Sequence, residues 1–258
     1  MLKGLTAADS WIVLPRPNPR ARLRLFCFPY GGAGASIFRA WPQSLPEAVE
    51  VCAVQLPGRE TRLREEPFTD VPGVVRTLAQ ALAPRLTVPF AFFGHSLGAF
   101  IGFELARELR KQNAGVPIHM FVSGQRAPQI PAPLPPLYQL PDGEFIEAMQ
   151  RRYNGIPAVV RQSVELMQVL LPLLRADFTM NDTYAYVDDR PLDCPISCFG
   201  GQQDPETTKE TLAAWGRQTR GAFALKMFPG GHFFLESARA LLLQALIDDL
   251  KNSSNGGI

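Results

Sequence analysis

Residues 90–106 read FAFFGHSLGAFIGFELA, and the order of textures in that stretch decides the class of fold. It opens on a continuously apolar run, as expected of a strand buried on both faces. Gly94-His95-Ser96-Leu97-Gly98 then interrupts it with a G-x-S-x-G pattern, and apolar residues resume at helical spacing from Ala99. The wider apolar window 88–106 approaches membrane-span length. Gly94, His95, Ser96, Gly98 and Glu104 break it, so a buried strand, a tight turn and a helix replace a transmembrane reading.

The same alternation extends in both directions. Upstream, residues 22–28 (RLRLFCF) predict a strand, followed by a glycine-rich loop and a helix around 37–41. Residues 49–55 predict a strand ending at Leu56-Pro57-Gly58, and 71–86 a helix. Downstream, the helix after the turn covers 99–112 and a strand covers 119–123. Strands separated by helices imply a mostly parallel sheet covered on both faces.

After Ser123 the rhythm breaks. Residues 128–141 hold six prolines, which read as a rigid connector, with an SH3-type ligand as the alternative. Asp142 stands where it could cap a helix through Arg152, and 164–182 predicts a second helix with Pro172 as a candidate kink. The β rhythm returns at 195–200, followed by a helix over 206–219, a strand over 222–228 and a closing helix over 237–250. The small polar tail from Asn252 reads as mobile. The expected organisation is an α/β core over 1–126 and 191–258, interrupted by a helical insertion over 127–190.

Composition fits one such domain. The chain has 258 residues, 46% of them hydrophobic and 19% charged, which is too apolar for a disordered chain. A formal net charge of +2 and the lack of a Lys/Arg block argue against nucleic-acid binding. The N-terminus holds no apolar run of signal-peptide length. Cys27, Cys52, Cys194 and Cys198 form no CxxC pair, and three of them lie in strand-like segments. The expectation is a reduced, cytoplasmic protein with neither disulfides nor a zinc site.

The serine of the turn is the candidate nucleophile. A sharp strand-to-helix turn lifts its hydroxyl clear of the sheet, and the following helix aims free N–H groups at developing negative charge. A serine hydroxyl needs a base held by a carboxylate. Of the three histidines, His95 is bound into the turn and His119 opens an apolar strand, which leaves His232 in Gly230-Gly231-His232-Phe233. Asp204 follows the 195–200 strand and precedes His232 in the chain, as the carboxylate should. Asp188, Asp189 and Asp193 precede that strand and belong at its other end. Asp204 could also cap the next helix. Leu97 and Gly31 are the candidate backbone donors of an oxyanion hole. Gly31 lies in Phe28-Pro29-Tyr30-Gly31-Gly32-Ala33-Gly34, which lacks the spacing and the lysine of a phosphate loop.

Together these residues resemble the type II thioesterases, the stand-alone enzymes associated with nonribosomal peptide and polyketide synthases, and are similar to the medium-chain acyl-carrier thioesterases. The resemblance runs from about Arg22 to Leu250. Its specific blocks are residues 26–32 (FCFPYGG), 55–60 (QLPGRE), 93–99 (FGHSLGA), 171–178 (LPLLRADF), Gly200-Gly201 with Asp204-Pro205, and 229–234 (PGGHFF). Tyrosine and glycine stand at 30 and 31, where many relatives have histidine and alanine. The resemblance implies an α/β-hydrolase fold with a helical lid and a Ser96–Asp204–His232 triad. It implies an acyl group delivered on the phosphopantetheine arm of an acyl or peptidyl carrier protein, and no cofactor.

For the acyl channel, Tyr30, Met167, Phe178, Met180 and Phe233 are the candidates, with Leu170 and Tyr184 beside them and plain core as the other reading. Arg59, Arg62, Arg64, Arg151 and Arg152 are candidates for meeting an acidic carrier, with a solvated face as the alternative. A monomer is expected. Two other functions stay open: a dedicated release enzyme or acyltransferase of one pathway, and a noncatalytic acyl-ligand receptor.

Overall fold

The computed structural model describes residues 11–253. The reading of the N-terminus as leaderless and the expected tail fall partly outside these. Among the described residues seven strands form one sheet: β1 Ile12–Val13, β2 Leu23–Phe28, β3 Val49–Val54, β4 Phe90–His95, β5 Met120–Ser123, β6 Ile196–Gly201 and β7 Phe223–Phe228. Their order is β1-β3-β2-β4-β5-β6-β7. Only β1 runs antiparallel, pairing Ile12 with Val54 and Val13 with Ala53; every other pair is parallel. This is the α/β-hydrolase arrangement. β1 has no counterpart in the sequence reading, because two residues are too few to show a period.

Among the described residues there are eight helices: α1 Val71–Leu82, α2 Leu97–Lys111, α3 Asp142–Tyr153, α4 Ala158–Arg161, α5 Val164–Asp182, α6 Lys209–Ala213, α7 Phe234–Ser237 and α8 Arg239–Ser253. Three expected helices are shorter or broken, each beside a proline or a strong cap. Around 37–41 there are two short 3₁₀ turns, Ala35–Phe38 and Trp41–Gln43, with Pro42 in the second. α1 stops at Leu82, and Pro84 lies in a following 3₁₀ turn. The 206–219 helix starts late, at a capping box of Thr208 and Thr211, and tightens to 3₁₀ from Ala214. Asp142 does not cap α3: it is the first helical residue, and its carboxylate pairs with Arg175 at 2.6 Å. At the C-terminus helix replaces the expected tail through Ser253.

Alternation along the strands sorts side chains into two layers. Phe26, Phe28, Phe90 and Phe92 face α1 and α2, packing with Val74, Leu78, Phe100 and Phe103. Leu25, Cys27, Ala91 and Phe93 face the other way, onto Phe38, Trp41 and the α8 leucines 242, 243, 246 and 250. Each fully buried aromatic contributes about 1.5–3 kcal/mol by leaving water. All four cysteines are buried and unpaired, and burial pushes the Cys27 and Cys198 thiols well above their usual range. Among the described residues no helix is long and apolar enough to cross a membrane.

Two features of this topology place the site. The chain goes from β2 outward to β3, then crosses back to β4 on β2's other side. The carboxyl ends of β2 and β4 therefore flank a switch point, where open α/β sheets form their ligand crevice. The segment between β5 and β6 holds helices α3 to α5 and a separate apolar cluster of Leu137, Phe145, Met149, Ile156, Met167 and Leu174. α5 continues through Pro172.

Candidate active site

Ser96 sits between β4 and α2 with φ 53° and ψ −122°, a conformation costly for a residue with a Cβ. Its flanking glycines explain how the turn closes. A Cβ on Gly94 would lie 2.2 Å from the Gly98 carbonyl oxygen, and one on Gly98 would lie 2.2 Å from that of Phe28. Neither backbone can retreat, so both positions require glycine. Ser96 N–H donates to the Ser123 carbonyl at 2.8 Å, tying the turn to β5. His95, fully buried, shares a 2.9 Å hydrogen bond between Nδ1 and Ser123 Oγ. Burial, with His232 nearby, keeps it neutral well below the usual histidine range.

The loops after β6 and β7 bring an acid to a base. Gly201 packs so closely on the Gly230-Gly231 backbone that a Cβ would meet the Gly231 oxygen at 2.3 Å. Gln202 N–H donates to the Phe228 carbonyl at 2.8 Å and Gln203 N–H to that of Gly230 at 3.0 Å. The clasp sets His232 Nδ1 at 2.9 Å from Asp204 Oδ2. Thr207 Oγ1 donates to the same oxygen at 3.0 Å and Glu206 N–H to Oδ1 at 3.0 Å. Burial pushes the Asp204 carboxyl up, but these hydrogen bonds and the His232 charge outweigh it and hold it below its usual range. Asp204 therefore stays ionised and fixes a proton on Nδ1, leaving Nε2 as the basic nitrogen. It also accepts from Glu206 N–H in the turn before α6, but the cap of that helix is Thr208, so the expected capping role of Asp204 falls to another residue.

Ser96 and His232 line a cavity of about 340 Å³ together with Tyr30, Gly31, Leu97, Met149, Ile156, Leu170, Phe178 and Phe233. Leu97 opens α2, where N–H groups have no intrahelical acceptor. The insertion roofs the cavity; the β2 and β4 loops floor it. A smaller recess of about 30 Å³ also borders Ser96 and His232 and is polar, with Arg126, Arg152, Tyr153, Asp182 and Glu206 on its walls. Tyr153 Oη donates to Glu206 Oε2 at 3.2 Å, and burial raises the Glu206 pKa above the ordinary glutamate range.

Of the acyl-channel candidates, Tyr30, Phe178 and Phe233 reach this cavity, as does Leu170. Tyr30 leans on Phe233 with ring centroids 4.9 Å apart and donates to Glu236 at 2.9 Å. Met167 and Met180 do not reach it. Met167 packs inside the insertion and Met180 against the main core, since apolar spacing on α5 cannot tell a cavity wall from a helix interface. Tyr184 stacks on Phe100 at 4.2 Å instead.

Two of the five arginines that were candidates for meeting a carrier are buried, and neither lies on a solvated face. Arg62 is buried against Trp11 and donates to Glu65 and to the Gln55 carbonyl. Arg59 is 4% exposed and forms a bidentate ion pair with Asp177, 2.8 Å on each side. Arg64 and Arg151 remain exposed, while Arg152 is half-buried and donates to the Pro135 carbonyl. The rejected acids are engaged elsewhere, Asp189 with Arg110 and Asp193 with Arg190. His119 is held by Ser197 and Ser253. The Arg59–Asp177 pair was missed although both residues stand in the most specific sequence blocks, and opposite charges in two such blocks are a signal for pairing.

Residues 23–253 match the Thioesterase domain family. The chain is 44% identical to the gramicidin S biosynthesis protein GrsT of Aneurinibacillus migulanus over 96% of each chain. Among solved structures it resembles BorB, a type II thioesterase from the borrelidin biosynthetic cluster, with TM-score 0.84, 34% identity and coverage of 94% of this chain and 98% of BorB. It also resembles ClbQ from the colibactin pathway, with TM-score 0.86, 28% identity and coverage of 92% and 100%. The chain belongs to the type II thioesterase family, hydrolases of thioesters within the α/β-hydrolase fold.

Proposed function

We propose that this protein is an editing thioesterase that frees short acyl groups from the phosphopantetheine arm of carrier proteins through an acyl-enzyme on Ser96. The observation that carries the reading is the 2.9 Å His232–Asp204 contact set beside a strained Ser96 on one cavity. His232 Nε2 takes the Ser96 proton as Oγ attacks the thioester carbonyl. The Gly31 and Leu97 N–H groups receive the oxyanion, Asp204 stabilises the imidazolium, and the pantetheine thiol departs. Water activated by His232 then releases the acid. The polar recess beside His232 has room for such a water, which needs roughly 10–15 Å³. No cofactor enters this sequence.

A cavity of about 340 Å³ is at the small end for ligand sites and favours short acyl groups over an elaborate finished product. In this reading residues 127–190 act as a lid. Arg64 and Arg151 are the remaining exposed arginines for an acidic carrier. The buried, unpaired cysteines fit a reducing cytoplasm, and we assign the protein there as a monomer.

The test is mass-spectrometric loss of acetyl from an acetyl-phosphopantetheinyl carrier with wild type and Ser96→Ala. Rapid loss confined to wild type supports the proposal. Cleavage of simple esters with no loss from the carrier would overturn it. Activity confined to one elaborate acyl group, or transfer to an acceptor other than water, would replace editing with release or acyl transfer.

A further inference from the structure

A glycine supplies a hydrogen-bond donor without clash, but its backbone is the least constrained of all residues. An oxyanion hole built on Gly31 therefore needs its loop held from outside. On one side the hold is steric, because the Phe28 and Pro29 carbonyls lie against Gly98 with no room for a Cβ. On the other side the holding group comes from the insertion. Asp177, on α5 and 1% exposed, accepts from Gly32 N–H at 2.6 Å through Oδ2. The same oxygen receives Arg59 Nη1 at 2.8 Å, and Oδ1 receives Nη2 at 2.8 Å. Arg59 Nη1 also donates to the Ala33 carbonyl at 3.0 Å, so the guanidinium clasps the loop and its anchor together. Gly32 has φ 84°, and Gly31 lies directly against the acid, where a Cβ would be 3.5 Å from that of Asp177.

We propose that Asp177 is the positioning residue of the oxyanion hole: its hydrogen bond to Gly32 fixes the peptide after Gly31, so the lid helix and the hole move as one piece. Opening the insertion would slacken the donor, and full catalytic power would exist only with α5 seated. Arg59 has two parts in this. It neutralises a carboxylate that lines the cavity and would otherwise oppose an oxyanion nearby, and it orients that carboxylate towards Gly32.

The inference rests on the catalytic reading above, and the experiment separates the two. Removing either charge alone leaves its partner buried and unpaired, which destabilises any fold. The comparison is therefore between two uncharged double variants, Arg59→Met with Asp177→Asn and Arg59→Met with Asp177→Leu. Only the asparagine retains an acceptor for Gly32. Hydrolysis of the acetyl-phosphopantetheinyl carrier is measured per folded molecule, with affinity for a pantetheine trifluoromethyl ketone, which forms a hemiketal oxyanion on the serine. The leucine variant should have kcat about 10–10²-fold below the asparagine variant, an unchanged KM and a matching loss of ketone affinity. A kcat within about threefold between them would overturn the inference while wild-type activity leaves the catalytic reading intact. If wild type lacks Ser96-dependent activity, the catalytic reading itself fails. Should the leucine variant not fold, hydrogen exchange in wild type decides: the Gly32 amide should be protected like β4, and exchange at a free-loop rate would overturn the proposal.

Discussion

Replacing Asp204 by asparagine changes one atom and should cost nearly all turnover. The wild-type carboxylate accepts from His232 Nδ1 at 2.9 Å and Thr207 Oγ1 at 3.0 Å through Oδ2, and from Glu206 N–H at 3.0 Å through Oδ1. An asparagine has one acceptor for these two positions. If its oxygen stays on Glu206 N–H, its NH₂ faces His232 and donates to Nδ1, which forces the proton onto Nε2 and removes the base. If it flips, NH₂ meets the Glu206 N–H, and the unsatisfied donor costs about 1–3 kcal/mol. The charge that stabilises the imidazolium is lost as well, worth about 4 kcal/mol for unit charges 4 Å apart at an effective dielectric of 20. Together these raise the barrier by about 5–7 kcal/mol, or roughly 10⁴–10⁵-fold in kcat. Stopped-flow or discontinuous assay of acetyl release from the carrier, with thermal melting to confirm folding, measures it. A folded Asp204→Asn protein within about tenfold of wild type would refute the assignment of Asp204.

Gly98→Ala would drive a methyl to 2.2 Å from the Phe28 oxygen and 2.6 Å from that of Pro29, so urea unfolding should show a loss of about 3 kcal/mol or more. Leu170→Trp should fill part of the cavity, lowering kcat/KM for an octanoyl carrier relative to an acetyl carrier by at least about tenfold. His119 is depressed to about 4 chiefly by burial, offset in part by Asp249 and reinforced by Lys226. The unfolded imidazole takes up protons from its ordinary value of 6.5 downward while the folded one stays neutral, so stability falls as pH drops through that window. His119 should account for about 2 kcal/mol of the loss between pH 7 and pH 5, beside the separate loss from the similarly depressed His95. Its share is read as the difference in slope between the urea curves of wild type and His119→Gln.

The parts of the fold that were legible in sequence are those governed by local pattern. The apolar run into Gly94, the helical spacing after Ser96 and the glycine pairs at 200–201 and 230–231 each report a backbone requirement that the structure meets within two or three residues of the chain. The residues that were not legible depend on which element a side chain faces across the fold. Met167 and Met180 have the composition of a channel wall but pack into two different cores. Arg59 looks like a surface arginine until α5 brings Asp177 to it across 118 residues. Tyr153 and Ile156 sit in an unremarkable stretch of sequence and reach the cavity only because α3 ends there. Charge and apolarity state what a residue can do, and tertiary packing states to whom.

The claim on which the account depends is that acyl groups pass through Ser96. Placing 2,3-diaminopropionate at position 96 puts an amine where the hydroxyl stands and converts the transient ester into an amide that water does not release. After incubation with an acetyl-phosphopantetheinyl carrier, peptide mapping should find the acetyl group on residue 96, with the carrier thiol freed in equal amount. An unmodified residue 96, under conditions where the wild-type protein clears the carrier, would contradict the account.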